Sequence, residues 1–443
     1  MSKNAPIDTR IAAIVSLLDI LRREKPSDFA IQKFAEKYSL TGRDRAFLSH
    51  IVFGTLKNLS YLDYILLRIL KDGKFPSYAG AMALRIGGYQ IAFGDVPIYA
   101  AVDTTVEAMR SLKAHHKEIA LINAVLKKFI ERWKETRLPV ESVKLLAIRY
   151  SHPEWIVLRW VERYGIDTTE KMLIANNADP PRTYRINTLR AEPKIFKSEM
   201  IAKDIKITDT VFDEYFELQE NIPPGEFAPF VDGLITVQDA AFAIPAKLLM
   251  PNLGEAILEI GSAPGGKTSH IVELLSGDVE NFYAVDISTK RNLLIKQNFE
   301  RMKLPMPKII TADGALPPFK NKSFDKILID APCTAWGIVR RHPEIRWHRK
   351  TADFEKMSKI QRALITSAFN LLKPGGLLIF STCTTEPEEN QGAVNKMQQL
   401  GMELLPIPDC IPKQFMEADG FVARTMPYRD SLDGSFSIVA IRR

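Results

Sequence analysis

The chain has 443 residues, 46% of them hydrophobic and 26% charged, with a formal net charge of +7. That length predicts two or three domains with ordinary packed cores, and no run approaches the roughly 18 consecutive apolar residues of a membrane span. Three cysteines, at 333, 383 and 410, are too few and too scattered for a disulfide framework or a C-x-x-C metal site, so free thiols in a reducing cytoplasm are expected, with no metal and no membrane.

The opening Met1-Ser2-Lys3-Asn4-Ala5-Pro6 carries no apolar stretch of a signal peptide. Charge is uneven along the chain: residues 1–150 hold 24 Lys and Arg against 15 Asp and Glu, and residues 151–443 hold 36 against 38. A basic first third beside a near-neutral remainder suggests a polyanion held by one part and worked on by another. A solvated basic surface is the alternative.

Residues 1–140 read as an all-helical bundle. Apolar residues recur at three- and four-residue spacing in Ile11-Ala12-Ile14-Val15-Leu17-Leu18-Ile20-Leu21. Further helical runs cover 43–59, 61–71, 79–94, 100–113 and 119–136, separated by breakers such as Pro26-Ser27, Gly73, Pro76 and Pro97. Residues 141–232 form a small α+β connecting domain. A helix begins near Pro153 and stops at Gly165, a second covers 168–175, and Thr183-Tyr184-Arg185-Ile186-Asn187 alternates as a strand does. The acidic stretch 204–226 argues against that face gripping phosphate.

From 233 to 443, strand and helix signals alternate, which predicts a Rossmann-like α/β domain with a mostly parallel sheet. Strands are expected at 256–260, 281–285, 308–311, 326–330, 377–381 and 435–441. A helix over 354–372 is expected to stop in a tight turn at Lys373-Pro374-Gly375-Gly376.

The first of these strands runs into Gly261-Ser262-Ala263-Pro264-Gly265-Gly266-Lys267-Thr268. Glycines let the backbone pass close to a ligand, and the following helix offers free N–H groups. The spacing also fits a phosphate-binding loop, so a nucleotide hydrolase is an alternative. Pro264 stiffens the loop, and the next two strands end in acids, Asp286 and Asp313. Carboxylates there suit a ribose and an adenine amino group, repel a triphosphate and tolerate the sulfonium of S-adenosylmethionine. Either acid also reads as an ordinary turn carboxylate.

Two later strands each stop at a polar turn with one cysteine, Asp330-Ala331-Pro332-Cys333 and Ser381-Thr382-Cys383. Carbon 5 of cytosine is a poor nucleophile until a thiolate adds to carbon 6. That chemistry needs a reactive cysteine, an acid to hold ring nitrogen 3 and a methyl donor. Two buried structural cysteines are the alternative, and the chemistry alone does not order the pair. After the first turn, Arg340, Arg341, His342, Arg346 and His348 with Trp347 compose a basic aromatic loop suited to unpaired RNA. Cys410, in a loop before Pro412, reads as structural.

Two stretches resemble known families. Arg43-Asp44-Arg45-Ala46-Phe47, Gly54-Thr55-Leu56, Leu84-Arg85-Ile86-Gly87-Gly88-Tyr89-Gln90, Ala100-Ala101-Val102 and Asn123-Ala124-Val125-Leu126-Lys127 resemble the NusB-like RNA-binding domain. Arg185-Ile186-Asn187-Thr188, Val237-Gln238-Asp239, Ser262 to Thr268, Asp330 to Cys333, Arg340-Arg341-His342-Pro343-Glu344, Ser381-Thr382-Cys383 and Pro387-Glu388-Glu389-Asn390 resemble the Nol1/Nop2/Sun family of RNA 5-methylcytosine methyltransferases, in its bacterial ribosomal-RNA branch. This resemblance covers nearly the whole chain. It implies S-adenosylmethionine as cofactor and RNA, 16S ribosomal RNA above all, as partner; a monomer is expected. It implies that Cys383 attacks, that Cys333 assists release of product, and that Asp330 holds the cytosine edge with Lys267 close by. Ser262, Ala263, Pro264, Gly265, Gly266, Lys267, Asp286, Arg291, Asp313 and Asp330 would frame the donor pocket. For Arg291 a surface ion pair is the competing reading.

The chain departs from the family at Gly261-Ser262, where Cys-Ala is common, and at Thr334-Ala335, where Ser-Gly is usual, followed by Trp336. That tryptophan either narrows the pocket mouth or packs in the core. A transfer-RNA target and a non-catalytic RNA-binding protein with a methyltransferase-like body are the competing functions.

Overall fold

The computed structural model describes residues 5–443. The opening residues 1–4, part of the stretch read as lacking a signal peptide, lie outside the described residues. The chain divides into two compact units, one reaching to Asp179 and including Val339–Arg349, the other made of Pro180–Ile338 and Lys350–Arg443.

The first unit is helical: α1 (Ala5–Arg23), α2 (Ser27–Lys37), α3 (Gly42–Lys57), α4 (Leu59–Ile69), α5 (Tyr78–Phe93), α6 (Ile98–Ser111), α7 (His116–Arg132), α8 (Ser142–Arg149), α9 (Glu154–Tyr164) and α10 (Ile166–Asn177). The apolar stripes read from the sequence form its core, with Ile14, Leu17, Ile51, Leu62, Leu66, Ile86, Leu126 and Phe129 fully buried. α2 is absent from the expected runs. Pro26 stands at its N-cap and Ala30, Ile31, Phe34 and Ala35 give it a short apolar face. The helices over 142–177, grouped by sequence with the connecting domain, belong by contact to this unit.

The second unit opens with a four-stranded antiparallel sheet of order β2-β3-β1-β4, from β1 (Thr183–Ile186), β2 (Ile207–Asp209), β3 (Tyr215–Leu218) and β4 (Ile235–Val237). α11 (Pro193–Ala202) packs on it through Phe196 and Met200, and α12 (Ala228–Val231) precedes β4. Then α13 (Ala243–Leu249), β5 (Ile257–Ile260), α14 (Gly266–Leu274), β6 (Phe282–Asp286), α15 (Thr289–Met302), β7 (Lys308–Thr311) and β8 (Phe324–Asp330) follow. After the short turn α16 (Ile345–His348), which belongs to the first unit, come α17 (Ala352–Leu371), β9 (Leu372–Thr382), α18 (Pro387–Gln399), β10 (Met402–Leu405), β11 (Val422–Thr425), α19 (Pro427–Asp430) and β12 (Ser435–Arg442).

The larger sheet has eight strands in the order β10-β12-β9-β8-β5-β6-β7, with β11 on β12. The run from β9 to β7 is parallel and β12 is antiparallel to β9, β10 and β11. The chain leaves β5 toward β6 and β7, then returns to the other side of β5 with β8. That reversal opens a crevice beyond the C-terminal ends of β5 and β8. The glycine turn, the two acids and the two cysteine turns all lie at the C-terminal ends of the parallel strands β5 to β9.

One expected turn is a strand instead. Lys373-Pro374-Gly375-Gly376 lies within β9, where Phe324 pairs with Leu372 and Lys326 with Leu377. The Pro-Gly-Gly stretch is taken up as a bulge against β8 rather than ending the pairing. Among the described residues no helix is long and apolar enough to cross a membrane.

Candidate active site

Strand register brings the two cysteine turns together. β8 and β9 are parallel neighbours with Asp330 opposite Ser381, and Ala331 N–H donates to the Ser381 carbonyl at 2.9 Å. Each chain then continues two or three residues to its cysteine, and the Cys333 and Cys383 sulfurs lie 3.3 Å apart. Both are partly exposed free thiols. The bond from Cys383 and burial, in that order, push the Cys333 thiol well above its ordinary value, so Cys333 is held neutral.

The glycine turn arrives from β5. Gly261 has φ +82°, and a Cβ there would lie 2.2 Å from the Asp330 carbonyl oxygen. Only glycine lets these two strand ends pass so closely. Lys267, in the first turn of α14, ion-pairs with Asp330 at 2.7 Å and lies 4.8 Å from the centre of the Phe242 ring. Burial opposes its charge, but Asp330, with Cys383 and Glu259 behind it, outweighs burial and holds the ammonium above its ordinary value. Asp330, Lys267, Cys333 and Cys383 therefore form one cluster.

Asp286, at the end of β6, is buried. It accepts from Ala263 N–H at 3.3 Å and Ser288 N–H at 2.9 Å and pairs with Arg291 at 3.4 Å. Arg291 also donates to the Ala263 carbonyl while its side chain stays half exposed, so it is an ion-pair partner and a clamp on the glycine turn together. Asp313 is exposed and accepts from Ala315 N–H at 2.9 Å in the turn after β7.

This turn fits a nucleoside donor. Glu259 is fully buried in β5, and its two carboxyl oxygens and Ser262 Oγ have no hydrogen-bond partner among the described residues. Buried polar atoms without partners at the edge of a glycine cradle are what a ligand with amine and hydroxyl groups satisfies. Burial pushes the Glu259 carboxyl up to about 8. Lys267 is engaged by Asp330, and Thr268 Oγ1 donates to the Ser262 carbonyl at 3.2 Å. The lysine and hydroxyl that a phosphate-binding loop would present are thus already committed.

Sequence reasoning left several motifs without a role, and the structure supplies one. Arg185 is fully buried and donates to Gly266 O at 3.0 Å, Ser269 Oγ at 2.7 Å and Glu273 at 2.8 Å. Its bond to Gln238 ties β1 and β4 to the same turn. Asp239 accepts from Ala241 N–H and from Asp433 N–H. Ala335 has φ +65°, a conformation that suits the glycine usual there. Trp336 is buried, so it packs in the core, whereas Cys410 is exposed.

The basic loop after Cys333 is a correction. Arg340 and Arg346 are buried, and the segment packs into the helical unit instead of presenting itself to RNA. Arg346 donates to the carbonyls of Ser151 at 3.1 Å and Asn176 at 2.8 Å and to Asn177 Oδ1 at 2.7 Å, with Lys57 O and Tyr150 O farther out. Those oxygens close the C-terminal ends of α3, α8 and α10, where the carbonyls lack helix partners and the dipoles point their negative ends. Trp347 donates to Leu56 O at 3.1 Å, His348 meets Ile20 O at 2.8 Å, and Glu344 accepts from Ser27 N–H at 3.0 Å. The residue types suited to RNA are here used to stop helices.

Known proteins place this geometry in a family. A model described as 16S rRNA methyltransferase RsmB/F matches residues 246–440, a NusB family model matches 8–131, and a ferredoxin-like domain model of RsmF/B-like methyltransferases matches 152–223. The ribosomal RNA small subunit methyltransferase B of Proteus mirabilis is 31% identical over 395 residues, covering 86% of this chain and 90% of that protein. The probable ribosomal RNA small subunit methyltransferase B of Bacillus subtilis is 29% identical, covering 88% of each. Among solved structures, PH0851 superposes with a TM-score of 0.84 at 25% identity over 100% of both chains. A methyltransferase homolog protein from Pyrococcus horikoshii gives 0.60 at 26% identity, covering 69% of this chain and 100% of the other. With a helical front, a small sheet and a donor crevice in one chain, the protein belongs to the RsmB/F family of 16S rRNA methyltransferases, which take their methyl group from S-adenosylmethionine.

Proposed function

We propose that the protein methylates carbon 5 of a cytosine in 16S ribosomal RNA, with Cys383 as the attacking sulfur and Cys333 as the group that assists release. The observation that carries this reading is the 3.3 Å approach of the two sulfurs beside the Lys267–Asp330 pair. S-adenosylmethionine supplies an electrophilic methyl group when bound against Glu259, Ser262, the Gly265-Gly266 turn, Asp286 and Arg291. Asp330 holds the edge of the cytosine, and Lys267, paired with it at 2.7 Å, orients that carboxylate.

The Cys383 sulfur, its proton released to solvent, bonds to carbon 6, and the electron pair of the 5,6 double bond moves to carbon 5, which takes the methyl group while the pair of the broken methyl–sulfur bond stays with the donor's sulfur. The carbon 5 proton must then leave. Its bonding pair re-forms the double bond while the Cys383 sulfur departs with the pair of the sulfur–carbon bond. Cys333, held neutral beside Cys383, gives its proton to the departing sulfur and receives the one from carbon 5. A base stacked in a duplex does not reach such a crevice, so the target is unpaired or flipped out. The basic helical front is read as the part that grips the RNA backbone.

Bisulfite sequencing of ribosomal and transfer RNA, with and without this protein, tests the reading. A 16S cytosine that is protected only when the protein is present supports it. Protection confined to transfer RNA moves the substrate, and no protected cytosine overturns the chemistry.

A further inference from the structure

The two cysteine turns are not held together by their strands alone. β8 and β9 end at Asp330 and Thr382, and both thiols lie beyond the last ladder bonds. Past that point the turns are joined through Glu389, fully buried in the first turn of α18. One of its oxygens accepts from Thr334 N–H at 2.8 Å and from Gln361 Nε2 at 3.3 Å. The other accepts from Thr334 Oγ1 and from Thr384 Oγ1 at 2.9 Å.

Thr334 follows Cys333 and Thr384 follows Cys383, so one carboxylate grips the neighbour of each sulfur. The residues beside it complete the hold. Gln361 Nε2 also donates to Pro332 O at 2.9 Å, and Asn390 meets Thr382 Oγ1 at 2.7 Å and Thr384 O at 3.0 Å. Each cysteine is thereby pinned on both sides, and Glu389 touches both turns beside a direct 3.1 Å approach of Thr334 Oγ1 and Thr384 Oγ1.

We propose that Glu389 is a positioning residue that sets the separation of the Cys333 and Cys383 sulfurs and so couples methyl transfer to release. The proposal rests on the reading of the two cysteines given above. Two of the groups aimed at Glu389, Thr334 N–H and Gln361 Nε2, can only donate and meet one oxygen, while the hydroxyls of Thr334 and Thr384 on the other oxygen donate or accept. An amide can turn its oxygen to the N–H donors and its N–H₂ to the hydroxyls, so truncation, not amidation, removes the grip. A buried side chain with four polar partners is high-stakes, since each partner left unpaired is costly.

The test uses the full chain and a readout that needs no RNA: the rate at which diamide joins Cys333 to Cys383. Two thiol hydrogens pass to the N=N bond of diamide as the sulfurs bond. Glu389→Ala is expected to slow this joining by about a hundredfold for a displacement near 1 Å, and Glu389→Gln, which can keep the same partners, to restore most of the rate. In parallel, the fraction of RNA trapped on the Glu389→Ala protein in denaturing gels rises relative to methylated product. Thr384→Val, which removes one donor and keeps the shape, shows a smaller slowing and decides the matter where Glu389→Ala does not fold.

A merely structural Glu389 lowers the melting temperature and leaves both the joining rate and the adduct-to-product ratio at the wild-type value, and that result overturns the proposal. The two readings fail separately. If the wild-type protein forms no RNA adduct, the cysteine roles fall while the joining rate still judges Glu389.

Discussion

Arg346→Ala tests the correction at the basic loop. The side chain is fully buried, and three of its bonds are 3.1 Å or shorter. Hydrogen bonds to a charged group contribute about 1.5–3 kcal/mol each, so three gross roughly 5–9 kcal/mol. Burial pulls the guanidinium from 12.5 down to about 9, which at about 1.4 kcal/mol per unit offsets nearly 5 kcal/mol of that. The cavity left by truncation adds about 2 kcal/mol or more. The net expected loss is about 3 kcal/mol, or roughly 6–12 °C in melting temperature at 2–4 °C per kcal/mol for a unit of this size. Thermal unfolding of the full chain measures it, alongside RNA affinity over a salt series. A residue that stops helices lowers the melting temperature and leaves the slope of log affinity against log salt unchanged. A residue that touches phosphate leaves the melting temperature alone and reduces that slope by about one; that pair of results would refute the reasoning.

Further outcomes follow from the site. A Cβ at Gly337 would sit 2.6 Å from Gly434 O and 2.7 Å from Cys383 O, so Gly337→Ala is expected to push the Cys383 backbone aside and lower methyl transfer by about a hundredfold; a variant with wild-type turnover contradicts the tight packing. Glu259 is neutral when folded, with its carboxyl raised from 4.5 to about 8. The folded state therefore binds more protons than the unfolded chain across that window, and the stability this supports is lost as pH rises through it. Glu259→Gln removes the dependence. Urea unfolding should show the variant gaining about 3 kcal/mol on the wild type between pH 5.5 and 8, at about 1.4 kcal/mol per unit; a constant difference speaks against a buried neutral acid.

What could be read from the sequence divides along physical lines. Periodicity found the helical front and six of the eight strands of the large sheet, because parallel strands buried on both faces are plain apolar runs. β10 and β11 pair with β12 near the sheet edge, and Met402–Leu405 and Val422–Thr425 are only four residues each, too short to show a period. The Pro-Gly-Gly stretch does follow the end of α17 at Leu371 and Gly375 has φ +80°, but pairing with β8 continues on both sides of it, so it falls within β9. At the site, cysteine, glycine and acid types marked the strand ends. Their composition could not say that Asp330 lies opposite Ser381, which is a fact of register. The basic loop was misread for a related reason: Arg and Trp suit helix ends and RNA equally, and only burial separates the two uses. Arg185, Gln238 and Glu389 act through bonds spanning 28 to 88 residues, which no local pattern reveals.

The central claim is that two neighbouring sulfurs share one covalent cycle on a pyrimidine. It is tested most directly by incubating the Cys333→Ala and Cys383→Ala proteins with 16S RNA and S-adenosylmethionine and resolving protein from RNA under denaturing conditions. The account predicts a stable protein–RNA adduct with Cys333→Ala and none with Cys383→Ala, which still binds the methyl donor. An adduct that accumulates in the Cys383 variant instead, or methyl transfer that survives loss of that sulfur, contradicts it.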